Sequence, residues 1–148
     1  MLSEAKRIEL EQIIAPLASK FETKREHWIH GYDEGLSYCR ECAEKKIAEL
    51  LKEEPKADYC LDGGWGSEGD SFAMCEGCQC DLDNSLTDYG CEYELEHWES
   101  LKTIELNADL GHSFQEIISC QGWSGEHKDR IDKLARRILK AAKKKTKA

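Results

Sequence analysis

The sequence lacks a long apolar run. No stretch approaches the roughly 18 consecutive apolar residues that a membrane-spanning helix requires. The first ten residues carry charges throughout, so the apolar region of a secretory signal is missing as well. These absences argue against a membrane helix and against secretion, and we expect a cytoplasmic protein.

Basic residues are scarce in the middle of the chain. Residues 53–105 hold fifteen Asp or Glu against two lysines, a net charge of −13. The C-terminal residues 128–148 reverse the balance with ten Lys or Arg and two Asp, which leaves residues 1–127 at −17. An acidic body repels a phosphate backbone, so only the basic tail is a candidate for nucleic-acid contact.

The glycine-rich segment Asp62–Asp70 contains no Lys or Arg. A phosphate-binding loop needs a Gly-Lys-Ser/Thr sequence, and that sequence is missing. The acids of the segment do not have the EF-hand spacing, which argues against a calcium site. We therefore interpret the segment as an exposed connection between short strands near residues 58–61 and 71–74.

Eight cysteines are the strongest chemical signal, and four of them form two Cys-x-x-Cys pairs. Because a reducing compartment disfavours disulfides, this spacing predicts metal ligation. The pattern Cys39-x2-Cys42-x32-Cys75-x2-Cys78 predicts one structural zinc ion held by four thiolates. A helix should start at the first pair, and Gly77 should allow a tight turn in the second.

A model with two local zinc sites is also consistent with the spacing. It divides the two cysteine pairs between two sites and completes each with nearby residues. The first site would add His27 and His30, placed on one face of a helix, and the second would add Cys91 and His97. Cys80 is an alternative ligand, Cys120 is expected to be a buried thiol, and Cys60 has no assigned role.

Apolar periodicity predicts a helix-rich α+β fold in a single domain of residues 1–148. An N-terminal helix over residues 1–21 should kink or end near Pro16, and residues 28–98 should form the zinc-binding core around a small hairpin of zinc-ribbon or treble-clef type. The last helix should start after Ser124 and fray in the basic tail. Further elements are predicted as helices over 43–52, 92–101 and 112–121 and a strand over 102–106.

Five segments between Trp28 and Trp98 carry a resemblance to known proteins: Tyr38–Ala43, Asp62–Trp65, Cys75–Cys78, Leu86–Gly90 and Glu94–His97. On these segments the chain resembles a group of small uncharacterised bacterial and bacteriophage proteins with zinc-ribbon-like cysteine pairs. The resemblance covers about half of the chain. It implies zinc and a prokaryotic or phage setting, and it supplies no activity.

Three function classes follow from these patterns. The acidic body favours a non-catalytic zinc-binding protein that binds a basic protein partner, for example an inhibitor of a host nucleic-acid-binding factor encoded by a phage or mobile element. The basic C-terminal helix favours a nucleic-acid-binding regulator instead. A zinc-dependent hydrolase or nuclease is the third class, but a four-thiolate site has no open coordination position. The zinc-deaminase pattern, His-x-Glu followed by Pro-Cys-x-x-Cys, is also missing.

Overall fold

The computed structural model describes residues 2–18, 25–30, 36–120 and 124–148. Its chain divides into two compact units, which are described separately. Residues Met1–Glu22 and Leu86–Ala148 form the helical unit, and residues Thr23–Ser85 form the cysteine unit. With five helices and short paired strands in the described residues, the fold class is α+β, as predicted.

The helical unit contains four helices: α1 (Glu4–Ala18), α3 (Asp88–Ser100), α4 (Ala108–Ser119) and α5 (Gly125–Thr146). Two start at side-chain caps, since Thr87 Oγ1 accepts the Gly90 N–H at 3.0 Å and Asn107 Oδ1 accepts the Leu110 N–H at 2.9 Å. Apolar side chains from all four helices form one buried core. It includes Leu10, Ile14, Leu95, Trp98, Leu110, Phe114, Ile117, Leu134 and Ile138.

Polar contacts join α5 to α3 in the helical unit. The Arg130 guanidinium donates to Glu92 at 2.6 Å and to Glu99 at 2.5 Å. Arg137 donates to the backbone carbonyls of Trp98, Glu99 and Leu101, where the last turn of α3 leaves its acceptors unpaired. Several basic residues of the C-terminal segment therefore hold the fold together.

Several helix ends and one strand differ from the sequence predictions. Helix α1 continues through Pro16 to Ala18, because burial of Ile14 and Ala18 in the packed core offsets the hydrogen bond that proline removes. Helix α5 continues to Thr146 instead of fraying, since its alanines and lysines favour a helix. Residues 102–106 form no strand.

The cysteine unit contains α2 (Arg40–Glu53) and short strands. Strand β1 (His27–His30) pairs antiparallel with β2 (Leu61–Trp65), and β3 (Ser67–Gly69) pairs with β4 (Asn84–Leu86). The strands near the glycine-rich segment thus lie within it and not on either side, which corrects the predicted strand positions. The segment is largely exposed, as predicted, at Asp62, Gly64, Gly66, Glu68 and Asp70. Glycine lowers strand propensity but does not prevent ladder pairing once partner strands are supplied.

Candidate metal centre

Four cysteine sulfurs meet in the cysteine unit. The Sγ atoms of Cys39, Cys75, Cys78 and Cys80 all lie within 4.8 Å of one another. The distance from Cys39 Sγ to Cys78 Sγ is 3.9 Å. Four sulfurs at a Zn–S distance of about 2.3 Å in a tetrahedron are about 3.8 Å apart, so the cluster already has dimensions that suit zinc.

Cys42 is next to this group. Its side chain exchanges hydrogen bonds with Cys39, Cys75 and Cys78. Burial is the largest cause that raises the pKa of Cys42, and these hydrogen bonds raise it further. We call the five residues together the cysteine cluster: Cys39, Cys42, Cys75, Cys78 and Cys80. Of the four ligands predicted from the sequence, Cys39, Cys75 and Cys78 belong to the group of sulfurs within 4.8 Å of one another, and Cys42 borders that group. Cys80 is the fourth member of the group, and the fold brings it there.

Helix α2 positions the first cysteine pair. Cys39 is the N-cap residue of α2 and is fully buried, and Cys42 lies in the first turn. This is the helix start that the sequence predicts at the pair. The partial positive charge at a helix N-terminus favours the thiolate form of nearby cysteines, which is the form that binds a metal.

The second pair lies in a tight hairpin, residues 73–82, which we call the knuckle hairpin. The Cys75 N–H donates to the Cys80 carbonyl at 2.9 Å, and the Gln79 N–H donates to the Cys75 carbonyl at the same distance. Gln79 has a φ of 61°, in the left-handed region that glycine usually occupies. Its side-chain Nε2 donates to the Cys75 carbonyl at 3.1 Å and holds this turn together.

Gly77 is required for space. A Cβ atom at Gly77 would lie 2.8 Å from both Cβ and Sγ of Cys42 and 3.7 Å from Cys75 Sγ. The left-handed φ angles among described glycines are at Gly63 and Gly64, so the turn does not explain this glycine. Its role is to let the knuckle hairpin approach α2 closely enough for the two cysteine pairs to meet.

Backbone N–H groups surround the Cys75 sulfur. The Cys39 N–H and the Gly77 N–H each donate to Cys75 Sγ at 3.3 Å. Burial raises the pKa of Cys75, but the N–H donors of Cys78, Cys39 and Gly77 outweigh it and lower the pKa to about 6. A backbone N–H of Cys80 likewise lowers the pKa of Cys78. Fixed donors of this kind orient thiolate ligands and stabilise their charge.

Arg25 supplies a positive charge beside the cluster. Its Nη1 atom lies 3.6 Å from Cys39 Sγ and 3.4 Å from a carboxylate oxygen of Glu41. Backbone bonds hold Arg25 against the end of the knuckle hairpin, since its N–H donates to the Asp81 carbonyl and its carbonyl accepts the Asp83 N–H. The arginine would offset part of the −2 charge of a zinc ion bound by four thiolates.

The other candidate ligands of the two-site model lie in α3 and β1. Cys91 forms a disulfide with Cys120, across 29 residues of sequence, so it is not a free ligand for the knuckle hairpin. This also corrects the expectation that Cys120 is a free buried thiol. His97 lies in α3, and the centroid of its ring is 5.1 Å from the ring centroid of Trp98.

The remaining two histidines of that model lie in a strand. His27 and His30 are the first and last residues of β1, and not residues of a helix as the local-site hypothesis requires. The helical spacing argument for a shared face therefore does not apply to them.

The comparisons with known proteins give no match. No protein-family model matches it, and neither a curated protein nor a solved structure does. The resemblance to small bacterial and phage proteins stays a prediction.

In the part of the chain that the structure describes, no helix has both the length and the apolarity to cross a membrane. Fold and site together define an α+β protein with a cysteine cluster that could hold a metal ion.

Proposed function

We propose that the protein is a non-catalytic, zinc-binding interaction protein. The observation that carries this proposal is the convergence of five cysteines from α2 and the knuckle hairpin. A zinc ion there would join two segments separated by more than thirty residues of sequence. Structural zinc contributes about 10–16 kcal/mol to folding in small zinc-binding peptides, so the ion would dominate the stability of a unit this small.

Ligand chemistry supports a structural role over a catalytic one. Cys39, Cys42, Cys75 and Cys78 are the ligands that the sequence pattern proposes, and Cys80 is the alternative at the fourth position. With either set, thiolates occupy all four coordination positions of a tetrahedral zinc ion and leave none for water or substrate. A hydrolase or nuclease would need an open position and a nearby base.

The charge of the cysteine unit supports a basic protein as the partner. Residues 23–85 hold fifteen Asp or Glu and seven Lys or Arg, a net charge of −8. Zinc bound by four thiolates would add about −2. Such a surface attracts a basic, nucleic-acid-binding groove and would occlude it, with fast association and strong salt dependence. A phage or bacterial inhibitor of a host nucleic-acid-binding factor fits this description.

Native mass spectrometry of the protein purified without chelator tests the metal. We expect one zinc per chain, and a lower zinc content together with a lower melting temperature in Cys75→Ser. The matched control is Cys60→Ser, since Cys60 is exposed and outside the cysteine cluster. Equal metal content and equal melting temperature in the two variants would contradict the proposal.

Affinity capture tests the partner. The zinc-loaded chain is immobilised, a bacterial lysate is passed over it, and bound proteins are eluted with increasing salt. We expect basic proteins that elute as the salt rises, because exposed charges more than about 10 Å apart are screened at 0.1 M ionic strength. Retention of no protein, or retention that salt does not affect, would contradict the electrostatic interaction.

A further inference from the structure

A groove lined by basic side chains lies between α1 and α5 in the helical unit. The cations come from both ends of the sequence, because Lys6 of α1 faces the C-terminal half of α5. This arrangement cannot be seen in the charge pattern of the tail alone. The lining residues are Lys6, Arg136, Leu139, Lys140, Lys143, Lys144 and Lys147.

Helix α5 divides its basic residues between two tasks. Arg130 and Arg137 contact α3 and stabilise the fold. The groove residues in the C-terminal half of α5 lie further along the chain. Among them, Lys143 Nζ lies 3.7 Å from a carboxylate oxygen of Glu9. The helical unit as a whole carries a net charge of about −1, with fourteen basic and fifteen acidic residues. The groove is therefore a local concentration of positive charge and not a consequence of overall charge.

The spacing of the cations suits a nucleic-acid backbone. From Arg136 to its end at Thr146 the helix advances about 15 Å, at roughly 1.5 Å per residue. Successive phosphates of one duplex strand are about 3.4 Å apart along the axis, so this length covers about five phosphates. Six cations line the groove. Five come from this segment and its C-cap residue, Lys6 comes from α1, and Glu9 offsets part of the charge of Lys143.

Two observations select a duplex over other polyanions. The apolar residues of α5, including Leu134, Ala135 and Ile138, are buried in the core, so the helix has no free apolar face to insert into a lipid surface. The described lining contains no aromatic side chain, whereas single-strand binding relies on aromatic stacking. Lysines with flexible stems contact phosphates without reading bases.

We infer that the α1–α5 groove binds the phosphate backbone of double-stranded nucleic acid without sequence preference. The site belongs to the helical unit and does not depend on the metal or on the basic protein partner proposed above. Its ligand class is a duplex polyanion, bound by about five charge contacts. Affinity at physiological salt should be in the nonspecific range, with a dissociation constant of about 10⁻⁴–10⁻⁶ M.

Fluorescence anisotropy of a labelled 20-base-pair DNA with the full zinc-loaded chain tests this inference. Five contacts predict a slope of log affinity against log salt of about −4.5, which is an affinity loss of about 500-fold between 50 and 200 mM salt. Lys140→Gln/Lys144→Gln should reduce that loss to about 40-fold, because two contacts are removed. The matched control is Lys128→Gln/Lys133→Gln, which removes the same charge from α5 outside the groove.

The outcomes separate the groove from its alternatives. Weaker binding and a shallower slope in the groove variant, with the control unchanged, support the inference. Equal losses in both variants would show bulk charge attraction and overturn it. So would absence of duplex binding at 50 mM salt, tighter binding to a single strand of the same length, or preferential binding to anionic lipid vesicles. Circular dichroism of both variants confirms that the exposed substitutions leave the helix intact.

Discussion

Five cysteines surround a site that can use four of them, and this excess gives the most informative prediction. Cys39, Cys75 and Cys78 belong both to the ligand set of the sequence pattern and to the closest group of sulfurs. Cys42 and Cys80 compete for the fourth position. We expect each to replace the other, because Cys42 contacts three cluster thiols and Cys80 lies within 4.8 Å of the same three.

The magnitude follows from the number of thiolates. If about 10–16 kcal/mol of zinc binding energy is shared among four thiolates, one ligand is worth about 2.5–4 kcal/mol, or roughly 10²–10³-fold in affinity. Cys42→Ser and Cys80→Ser should each keep four thiolates and lose less than about tenfold. The double variant should keep three thiolates and lose the full factor. Cys75→Ser should lose it as well, because Cys42 and Cys80 compete for one position and only one of them can bind.

Cobalt substitution measures the number of thiolates directly. The near-ultraviolet sulfur-to-cobalt charge-transfer band scales with the thiolates bound, so it should be unchanged in both single variants and about a quarter weaker in the double variant. Competition between cobalt and zinc then gives the relative zinc affinities. If one single variant already shows the quarter loss and the other shows none, the fourth ligand is fixed and the reasoning about exchange is refuted.

Three further predictions concern packing, the disulfide and pH. Gly77→Ala should weaken metal binding and lower stability by about 1–3 kcal/mol, since the new methyl group would overlap Cys42; an unchanged cobalt titration would contradict the close approach of the two pairs. Reduction of the Cys91–Cys120 disulfide should destabilise the helical unit by about 3–4 kcal/mol, the value for a closed loop of 29 residues; a melting temperature that does not respond to reductant, measured with zinc present, would contradict it. Glu92→Gln should lower the free energy of unfolding by about 1–2 kcal/mol at neutral pH, because the ion pair between Arg130 and the Glu92 carboxylate is lost. Arg130 lowers the pKa of Glu92 from its ordinary value of 4.5. The Glu92 carboxylate therefore contributes fully to stability above pH 4.5, and this contribution disappears as the pH falls further. A difference in stability between variant and parent that persists at about pH 2 would contradict this reasoning.

Local patterns predicted the helices well. The apolar spacing located all five helices in the described residues, and the Cys-x-x-Cys pair before Ala43 marked the start of α2. Their ends were less predictable. Pro16 lies inside α1 because core packing outweighs one missing backbone bond, and such packing is not a property of the local sequence.

The roles of the cysteines could likewise be predicted from the sequence only in part. Spacing predicted that the two pairs meet, and a Cys-x-Cys step after Cys78 was the available signal for Cys80. Spacing gave no signal for the disulfide between Cys91 and Cys120, because the packing of α3 against α4 brings those residues together. A disulfide partner depends on distances in space, and the number of possible pairings among eight cysteines is too large for spacing alone to select one.

The sequence by itself determined the helix-rich α+β class, the acidic body with its basic end, and the residue types that can bind zinc. These properties depend on composition and on periodicities of a few residues. Tertiary structure decided which thiols face one another, why residue 77 has to be glycine, and that Lys6 joins the basic residues of α5 across a groove. Those outcomes depend on how segments distant in sequence pack, and packing is a property of the whole chain.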